Sequence, residues 1–451
     1  MKRILIIILS LIIIGAIGYG VFYLFFSDPG ISGTKTEVTS GSKSDITSVQ
    51  IDDGKVTGWR EANRTGISAE TGLMKSWPEG GLALIWSNME LPKGHSSVTF
   101  GNNTIYITGL EEPNDVLIAL DPTGKIKWKT PYGRFWEKSY PETRCTPAVD
   151  GDRIYVTSGF GDLACINGIS GEIIWSRKAS EENGGTYGPW GIAESPIIDG
   201  DKLYYTSGGT QTTTIAFDKN SGEVVWRSES INDPASYLSP ILIEKAGIRI
   251  LINITPRFIF GVDVSDGTIL WKINHREALG KSDIDDTGQI LCVTPLFSGN
   301  RVYMTGGYDH GGLMIDIGDD GKSAKAVWTN DVLDVHHGGV VMVDGYIYGA
   351  NWINNGNGNW CCIDWNTGKL MWEEHWNNKG SIIAADGMLY IYDERKGTVG
   401  LLRPDASKFD LVNSFKIIGG SGPFWAHPVI HNGVLYIRHG DALFAYDIKE
   451  K

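Results

Sequence analysis

One carboxylate and two imidazoles are the side chains of this sequence best suited to proton transfer. Glu194 precedes the segment SPIIDG, and His336 and His337 precede GGVVMVDG. A carboxylate and an imidazole that meet near one axis act as a general base or bind a metal. Because successive residues of an extended chain point to opposite faces, only one of the two histidines is expected to face a site. We therefore predict Glu194 and His337 as catalytic residues and assign no metal ligands.

Polar and aromatic residues occupy comparable places before other short apolar segments. If these segments converge, the side chains form a polar pocket with stacking walls. The alternative is that they satisfy backbone groups where each strand begins. Arg144 suits an anionic group, which a guanidinium can bind with two hydrogen bonds. The predicted ligand-binding set is His95, Arg144, Trp190, Tyr237, His336, Lys379, Trp425 and His427.

A repeated phrase supplies the elements that must position these residues. An apolar strand leads to Asp or a substitute, then to a turn that ends in Gly, then to a short strand that closes with Trp. Such turns are hairpin signals. The copies are LIALDPTGKIKW (117–128), LACINGISGEIIW (163–175), TIAFDKNSGEVVW (214–226), IFGVDVSDGTILW (259–271), LMIDIGDDGKSAKAVW (313–328) and WCCIDWNTGKLMW (360–372), with a degenerate copy at 399–415 in which Phe replaces Trp.

A second phrase of two strands around a Gly turn precedes each copy, so each unit has four short strands. Four antiparallel strands that repeat at this spacing predict a propeller blade. The predicted blades begin at Ser97, Pro147, Pro196, Pro240, Pro295, Gly338, Ser381 and Pro428. The sequence therefore predicts an all-β, eight-bladed β-propeller.

The last unit lacks an outer strand, whereas residues 81–88 (GLALIWSN) supply one, with Trp86 in the closing position. We expect this strand to complete the last blade and close the ring, since closure removes free sheet edges. The closing Trp residues of all units are expected to be structural.

The N-terminus predicts membrane attachment. Lys2 and Arg3 precede an apolar run at residues 4–26, long enough to cross a bilayer core of about 30 Å. Aromatic residues crowd its end, which favours an uncleaved signal anchor at 1–26 over a cleaved signal peptide. Either reading sends the polar linker at 27–56 and the propeller at 57–451 out of the cytoplasm. We predict an inner-membrane anchor with the propeller facing the periplasm or the cell exterior.

Charge and cysteine content exclude several classes of protein. The net charge of −13 and the lack of a basic face argue against nucleic-acid binding. The five cysteines have neither the number nor the spacing of a disulfide framework or a zinc site. Cys361 and Cys362 are adjacent within a predicted strand, where neighbours point to opposite faces, which opposes a bridge between them.

The phrase AxDxxTGxxxW resembles the repeat of PQQ-like (pyrroloquinoline-quinone-type) propellers, including quinoprotein alcohol dehydrogenases and the outer-membrane assembly lipoprotein B family. The segments WREANRTGISAETGLMKSWPEGG (59–81) and WAHPVIHNGVLYIR (425–438) resemble this family as well, and the likeness covers roughly residues 57–448. For the dehydrogenases it implies PQQ with a calcium ion held by Glu, Asn and Asp above a Trp floor. Glu194 and either Trp190 or Trp425 match parts of that set, but no matching Asn and Asp can be named.

Two functions remain open from the sequence, because fold does not fix function. The first is a monomeric binding scaffold of the cell envelope that takes a small polar ligand, a glycan or an envelope protein at the funnel. The second is a quinoprotein-like dehydrogenase that oxidises an alcohol or sugar with PQQ and calcium, with Glu194 or His337 as base.

Overall fold

The computed structural model describes residues 58–61, 63–281 and 290–450. These residues form eight four-stranded antiparallel blades, as the repeat predicts. In each blade the chain runs from the innermost strand outward. The predicted starts of the blades lie within three residues of the inner strands.

The first four blades use consecutive strands along the chain. Blades 1 and 2 consist of Thr99–Gly101, Thr104–Glu111, Asn114–Leu120 and Ile126–Arg134, and of Ala148–Asp150, Arg153–Thr157, Leu163–Asn167 and Ile173–Arg177. Blades 3 and 4 consist of Ile197–Asp199, Lys202–Thr206, Thr214–Asp218 and Val224–Arg227, and of Ile241–Lys245, Ile248–Ile254, Phe258–Asp263 and Ile269–Asn274.

The next three blades continue this order, and the last one departs from it. Blades 5 and 6 consist of Leu296–Ser298, Arg301–Gly306, Gly311–Ile317 and Ala324–Asn330, and of Val340–Val343, Tyr346–Ala350, Trp360–Asp364 and Leu370–Glu374. Blade 7 consists of Gly380–Ala385, Met388–Asp393, Thr398–Arg403 and Asp410–Lys416, and blade 8 of Val429–His431, Val434–His439, Ala442–Asp447 and the early strand Ala83–Asn88.

The early strand closes the ring, which confirms the sequence prediction. It pairs antiparallel with Ala442–Asp447, with Trp86 opposite Ala445. A second early strand, Ile67–Ser68, pairs parallel with the inner strand of blade 7. The sequence did not predict this second pairing.

The remaining elements are short. Strand Gly208–Gly209 pairs with Asp233–Pro234 between blades 3 and 4. Helices Ala179–Glu182 and His275–Ala278 follow the outer strands of blades 2 and 4. No helix in the described ranges is long and apolar enough to cross a membrane. The predicted anchor at 1–26 and linker at 27–56 lie outside the described residues, so both stay predictions.

The hydrophobic core is divided into eight clusters, one at each junction between neighbouring blades. The cluster between blades 8 and 1 joins Trp86 and Tyr436 to Phe100 and Ile107. Burial of apolar surface is the main stabilising contribution to folding. Because every junction, including the closing one, buries such surface, the ring is stabilised all the way round.

The closing Trp of one blade packs on the turn glycine of the next, which explains the spacing of the repeat. Trp226 donates from Nε1 to the carbonyl of Val264 at 3.0 Å. A Cβ at Gly267 would approach the Trp226 ring to 2.6 Å, and φ at Gly267 is +85°. Only glycine fits both demands without strain. The expectation that these Trp residues are structural agrees with this packing.

Candidate functional site

The rim where the inner strands begin carries the predicted site residues, and they fall at different positions relative to the strands. The position nearest the strand holds hydroxyl residues that link the blades. The backbone N–H of Ser97 donates to Thr146 Oγ1 at 3.0 Å, Thr146 to Ser195 Oγ at 2.9 Å, and Ser195 to Ser239 Oγ at 2.9 Å. These residues hold adjacent blades together.

Glu194 occupies the position one residue earlier, together with Ser96 and Cys145. Each of these side chains accepts the backbone N–H of a Thr in the second strand of its blade. In Glu194 the acceptor is Oε2, 3.3 Å from the nitrogen of Thr206. Glu194 is buried, and its Oε1 has no hydrogen-bond partner. Burial raises its pKa to about 7. The role of Glu194 as a base stays a prediction.

Another shared position lies two residues before these hydroxyl residues, or before their counterparts Gly338 and His427. Six of the predicted ligand-binding residues share it, namely His95, Arg144, Tyr237, His336, Lys379 and Trp425. Trp190 lies apart from this position but packs edge-on against Tyr237, with ring centroids 6.0 Å apart. The equivalence explains why side chains from distant parts of the sequence converge.

Trp425 lies at the centre of one side of the funnel. Its ring centroid is 5.1 Å from that of His95, 5.0 Å from Tyr140 and 5.4 Å from His337. Through His337 the aromatic contacts continue to His336, 4.7 Å away. Both histidines therefore join one wall, whereas the alternation of an extended chain had predicted that only one would face the site.

The aromatic wall extends across blades 5 and 6. Tyr308 lies 4.9 Å from His336 and 4.7 Å from Trp352. Trp352 belongs to the loop at residues 351–359, which joins two strands of blade 6. The Lys379 Nζ donates to two carbonyls of that loop, those of Asn354 at 3.0 Å and Asn355 at 3.1 Å. The loop is thus tied to the ring of funnel residues.

A buried carboxylate that the sequence did not single out fixes two of the predicted residues. Glu394 contacts His337 Nε2 at 2.9 Å and Lys379 Nζ at 2.7 Å. Burial alone would raise the pKa of Glu394, but the hydrogen bonds and charges of these two partners hold it at about 2. Glu394 is therefore ionised at neutral pH and contacts both His337 and Lys379.

The rim residues that the sequence analysis missed lie at equivalent places in their blades. Tyr308, Trp352 and Glu394 each follow the second strand of blade 5, 6 or 7 within two residues. In a four-stranded antiparallel blade, the turn after the second strand lies at the same rim as the start of the inner strand. This rule would have identified all three.

The early segment fills the channel next to the funnel. Arg64 is buried and donates to the carbonyls of Ser195, Pro196 and Pro240 in blades 3 and 4, at 3.0, 2.6 and 2.9 Å. Arg60 is buried as well, and it donates to the carbonyls of blades 6 and 7. Burial lowers the pKa of each guanidinium to about 10, so both remain charged at neutral pH.

His427 belongs to this plug as well as to the funnel. Its Nδ1 is 2.9 Å from Arg60 Nη1, and its Nε2 is 3.0 Å from the carbonyl of His337. Since a guanidinium only donates, Nδ1 accepts and Nε2 carries the proton. Trp59 covers the same imidazole, with ring centroids 4.6 Å apart, and donates to Thr294 Oγ1 at 2.9 Å. His427 is therefore anchored in the structure with both ring nitrogens in use.

The opposite rim holds a polar cavity of about 650 Å³, bounded by the early segment and blade 8. Glu61, Glu70 and Lys449 are among the residues that line it. Glu70 accepts from the backbone N–H of Gly433 at 2.7 Å, and so caps a turn. None of the residues predicted for the site lies in this cavity.

The family model for the outer membrane protein assembly factor BamB matches residues 133–355. The repeat, the ring and this match together support a PQQ-like repeat propeller. Among curated proteins, it is similar to the outer membrane protein assembly factor BamB of Moranella endobia (strain PCIT), with 21% identity over 260 residues. That match covers 56% of this chain and 63% of the relative, less than two thirds of the relative's length.

Solved structures show the same fold. BamB from Moraxella catarrhalis matches with a TM-score of 0.58 and 14% identity, over 81% of this chain and 99% of that one. Quinohemoprotein alcohol dehydrogenase ADHIIG from Pseudomonas putida HK5 also has a TM-score of 0.58 and 14% identity, over 86% and 79%. The quinohemoprotein alcohol dehydrogenase from Comamonas testosteroni has a TM-score of 0.61 and 12% identity, over 88% and 81%.

The described residues do not fit the PQQ and calcium set that the dehydrogenase resemblance implies. Hard cations need several oxygen ligands. Glu194 accepts a hydrogen bond from the backbone of Thr206. In the described ranges, no group of three His, Cys, Asp or Glu residues could hold a metal. Cys361 and Cys362 are free thiols that pack into the separate cores between blades 5 and 6 and between blades 6 and 7. That separation confirms the prediction that they face opposite ways.

Proposed function

We propose that this chain is a binding scaffold of the cell envelope, and that the funnel rim engages a protein partner. The observation that carries this proposal is the half-buried aromatic and histidine wall beside a plugged channel. Tyr and Trp are enriched at protein interfaces because they supply large contact areas with a polar end. The similarity to BamB, whose name describes an assembly factor for outer membrane proteins, supports a protein partner and an envelope location.

The quinoprotein-like dehydrogenase is the second candidate, and the fold alone favours it. Its cofactor would need carboxylate and amide ligands at the funnel. The Glu194 carboxylate already accepts a hydrogen bond from the backbone N–H of Thr206. The scaffold reading therefore has more support, and no catalytic step is assigned to His337.

Site-specific photo-crosslinking in cells that make the full chain tests the proposal. A photoreactive residue in place of Trp352 or Trp190, both at the rim, is expected to give discrete protein adducts. The same residue in place of Val225 or Ile174, both exposed on outer strands, is the matched control and is expected to give none.

Reconstitution with PQQ and calcium separates the two candidates. The scaffold proposal expects no quinone absorbance on the purified protein and no dye-linked alcohol oxidation. Dye-linked oxidation that depends on both additives, together with equal crosslinking from the rim and the outer strands, would overturn it.

A further inference from the structure

The imidazoles beside Trp425 have nitrogen atoms with no hydrogen-bond partner. His95 is buried, and neither of its ring nitrogens is bonded. The Glu142 Oε2 lies 3.9 Å from His95 Nε2, which is too long for a hydrogen bond. His337 uses Nε2 for Glu394, while its Nδ1 is buried without a partner. Because buried polar atoms are nearly always bonded, such a group indicates a place where a ligand or water completes the site.

The charges around His95 are mainly positive. Its pKa is lowered well below the ordinary value, first by burial and then by Arg144, Arg438 and His337. The guanidinium of Arg438 is satisfied by the carbonyls of Pro92 and Thr108. Arg144 is therefore the cation that is available to a ligand on this side of the funnel.

Arg144 makes only backbone contacts within the described ranges. Its Nη2 donates to the carbonyls of Ser139 and Tyr140. Burial lowers the pKa of Arg144, and the nearby carboxylates of Asp115 and Glu142 oppose that shift, although neither forms an ion pair with it among the described residues. The backbone N–H of His95 donates to the carbonyl of Thr143 at 2.7 Å, so His95 lies next to Arg144. A guanidinium with free N–H groups beside the unbonded imidazole of His95 suits a planar oxyanion.

We propose that Arg144 and His95, which packs against Trp425, bind a carboxylate of the ligand. This inference rests on the proposed function, since it names the chemistry by which the funnel recognises its partner. Arg144 supplies one positive charge toward such a ligand, whereas Lys379 is already paired with Glu394. A phosphate dianion would leave excess charge in a partly buried site. The carboxylate comes either from a small molecule or from an acidic side chain or C-terminus of a polypeptide.

Histidine ring NMR on the purified full-length chain, with benzoate as probe, tests this site. Benzoate is expected to shift the ring signals of His95, and benzamide and phosphate are expected to bind at least tenfold more weakly. Equal binding of benzamide or phosphate would overturn the carboxylate assignment, and this comparison needs no variant.

Two variants test the role of Arg144. Arg144→Met is expected to weaken benzoate at least tenfold. Arg403→Met is the control, since Arg403 is exposed on blade 7 and paired with Asp410. A parental dissociation constant in Arg144→Met would contradict the proposal.

The affinity of an acidic peptide, compared with that of benzoate, identifies the source of the carboxylate. Tighter binding of an acidic peptide than of benzoate assigns the carboxylate to a polypeptide, and the reverse order assigns it to a small molecule. If neither binds while rim-specific crosslinks persist, this inference fails and the scaffold function stands. If the crosslinks are absent as well, both fail.

Discussion

Single residues in this propeller take their roles from their position relative to the inner strand. Glu194 has the side chain of a general base, but it stands where Ser96 and Cys145 stand, and like them it accepts a backbone N–H. The sequence shows that a carboxylate precedes the strand. It does not show which of the three consecutive positions faces the funnel, because that depends on how the chain bends into the strand.

The raised pKa of Glu194 gives a pH dependence with a definite sign. The pKa of Glu194 is about 7 in the folded chain, and the ordinary Glu pKa is near 4.3 in the unfolded chain. At pH values between these two, the folded state keeps a proton that the unfolded state has lost. Stability therefore falls as the pH rises through this window and is level above it. Glu194→Gln removes this loss, so it should be more stable than the parent at pH 8, by about 3 kcal/mol at most.

Denaturant unfolding of both proteins at several pH values measures this difference. Glu223→Gln, on the surface of blade 3, is the matched control. A difference between Glu194→Gln and the parent that stays constant from pH 5 to pH 8 would show that Glu194 does not hold a proton in the folded protein.

At the scale of elements, the junction between blades is the unit that stabilises the fold. Trp226 packs between blades 3 and 4 and contacts the Val264 carbonyl and Gly267. The repeat predicted this role, because a closing Trp and a turn Gly recur at fixed spacing. The early strand Ile67–Ser68 and the buried arginines escaped prediction, since each occurs once and has no periodicity to reveal it.

Trp226→Ala should lower the free energy of unfolding by about 3–5 kcal/mol, because it removes a large buried side chain and leaves a cavity. Val225→Ala is the control, since Val225 points to solvent. Denaturant unfolding measures both variants. A Trp226→Ala protein as stable as the Val225→Ala protein would mean that this indole does not join the blades.

At the scale of the whole molecule, the early segment has two structural roles. Residues 83–88 complete blade 8, and the segment before them carries two arginines into the channel, where they bind carbonyls of four blades. The sequence predicted the first role, because the last blade lacks an outer strand and Trp86 lies in the closing position of an early one. It could not predict the second, because backbone carbonyls leave no signature in a sequence.

Blade equivalence predicted that His95, Arg144, Tyr237 and Trp425 hold equivalent positions, and ligand binding by them stays a prediction. The contacts that fix these side chains come from loops of unequal length. Glu394 lies in one such loop, and the loop at 351–359 is another. The fold therefore follows from what the repeats share, and the site follows from how they differ.

Hydrogen–deuterium exchange of residues 58–88 in the intact protein tests most directly whether this segment both closes the ring and plugs the channel. The structure predicts that its amides in the early strand exchange as slowly as those of Ala442–Asp447, and that the part around Arg60 and Arg64 is also protected. Exchange of the whole segment at the rate of an unfolded chain would contradict the closed ring, the plugged channel and the funnel rim built upon them.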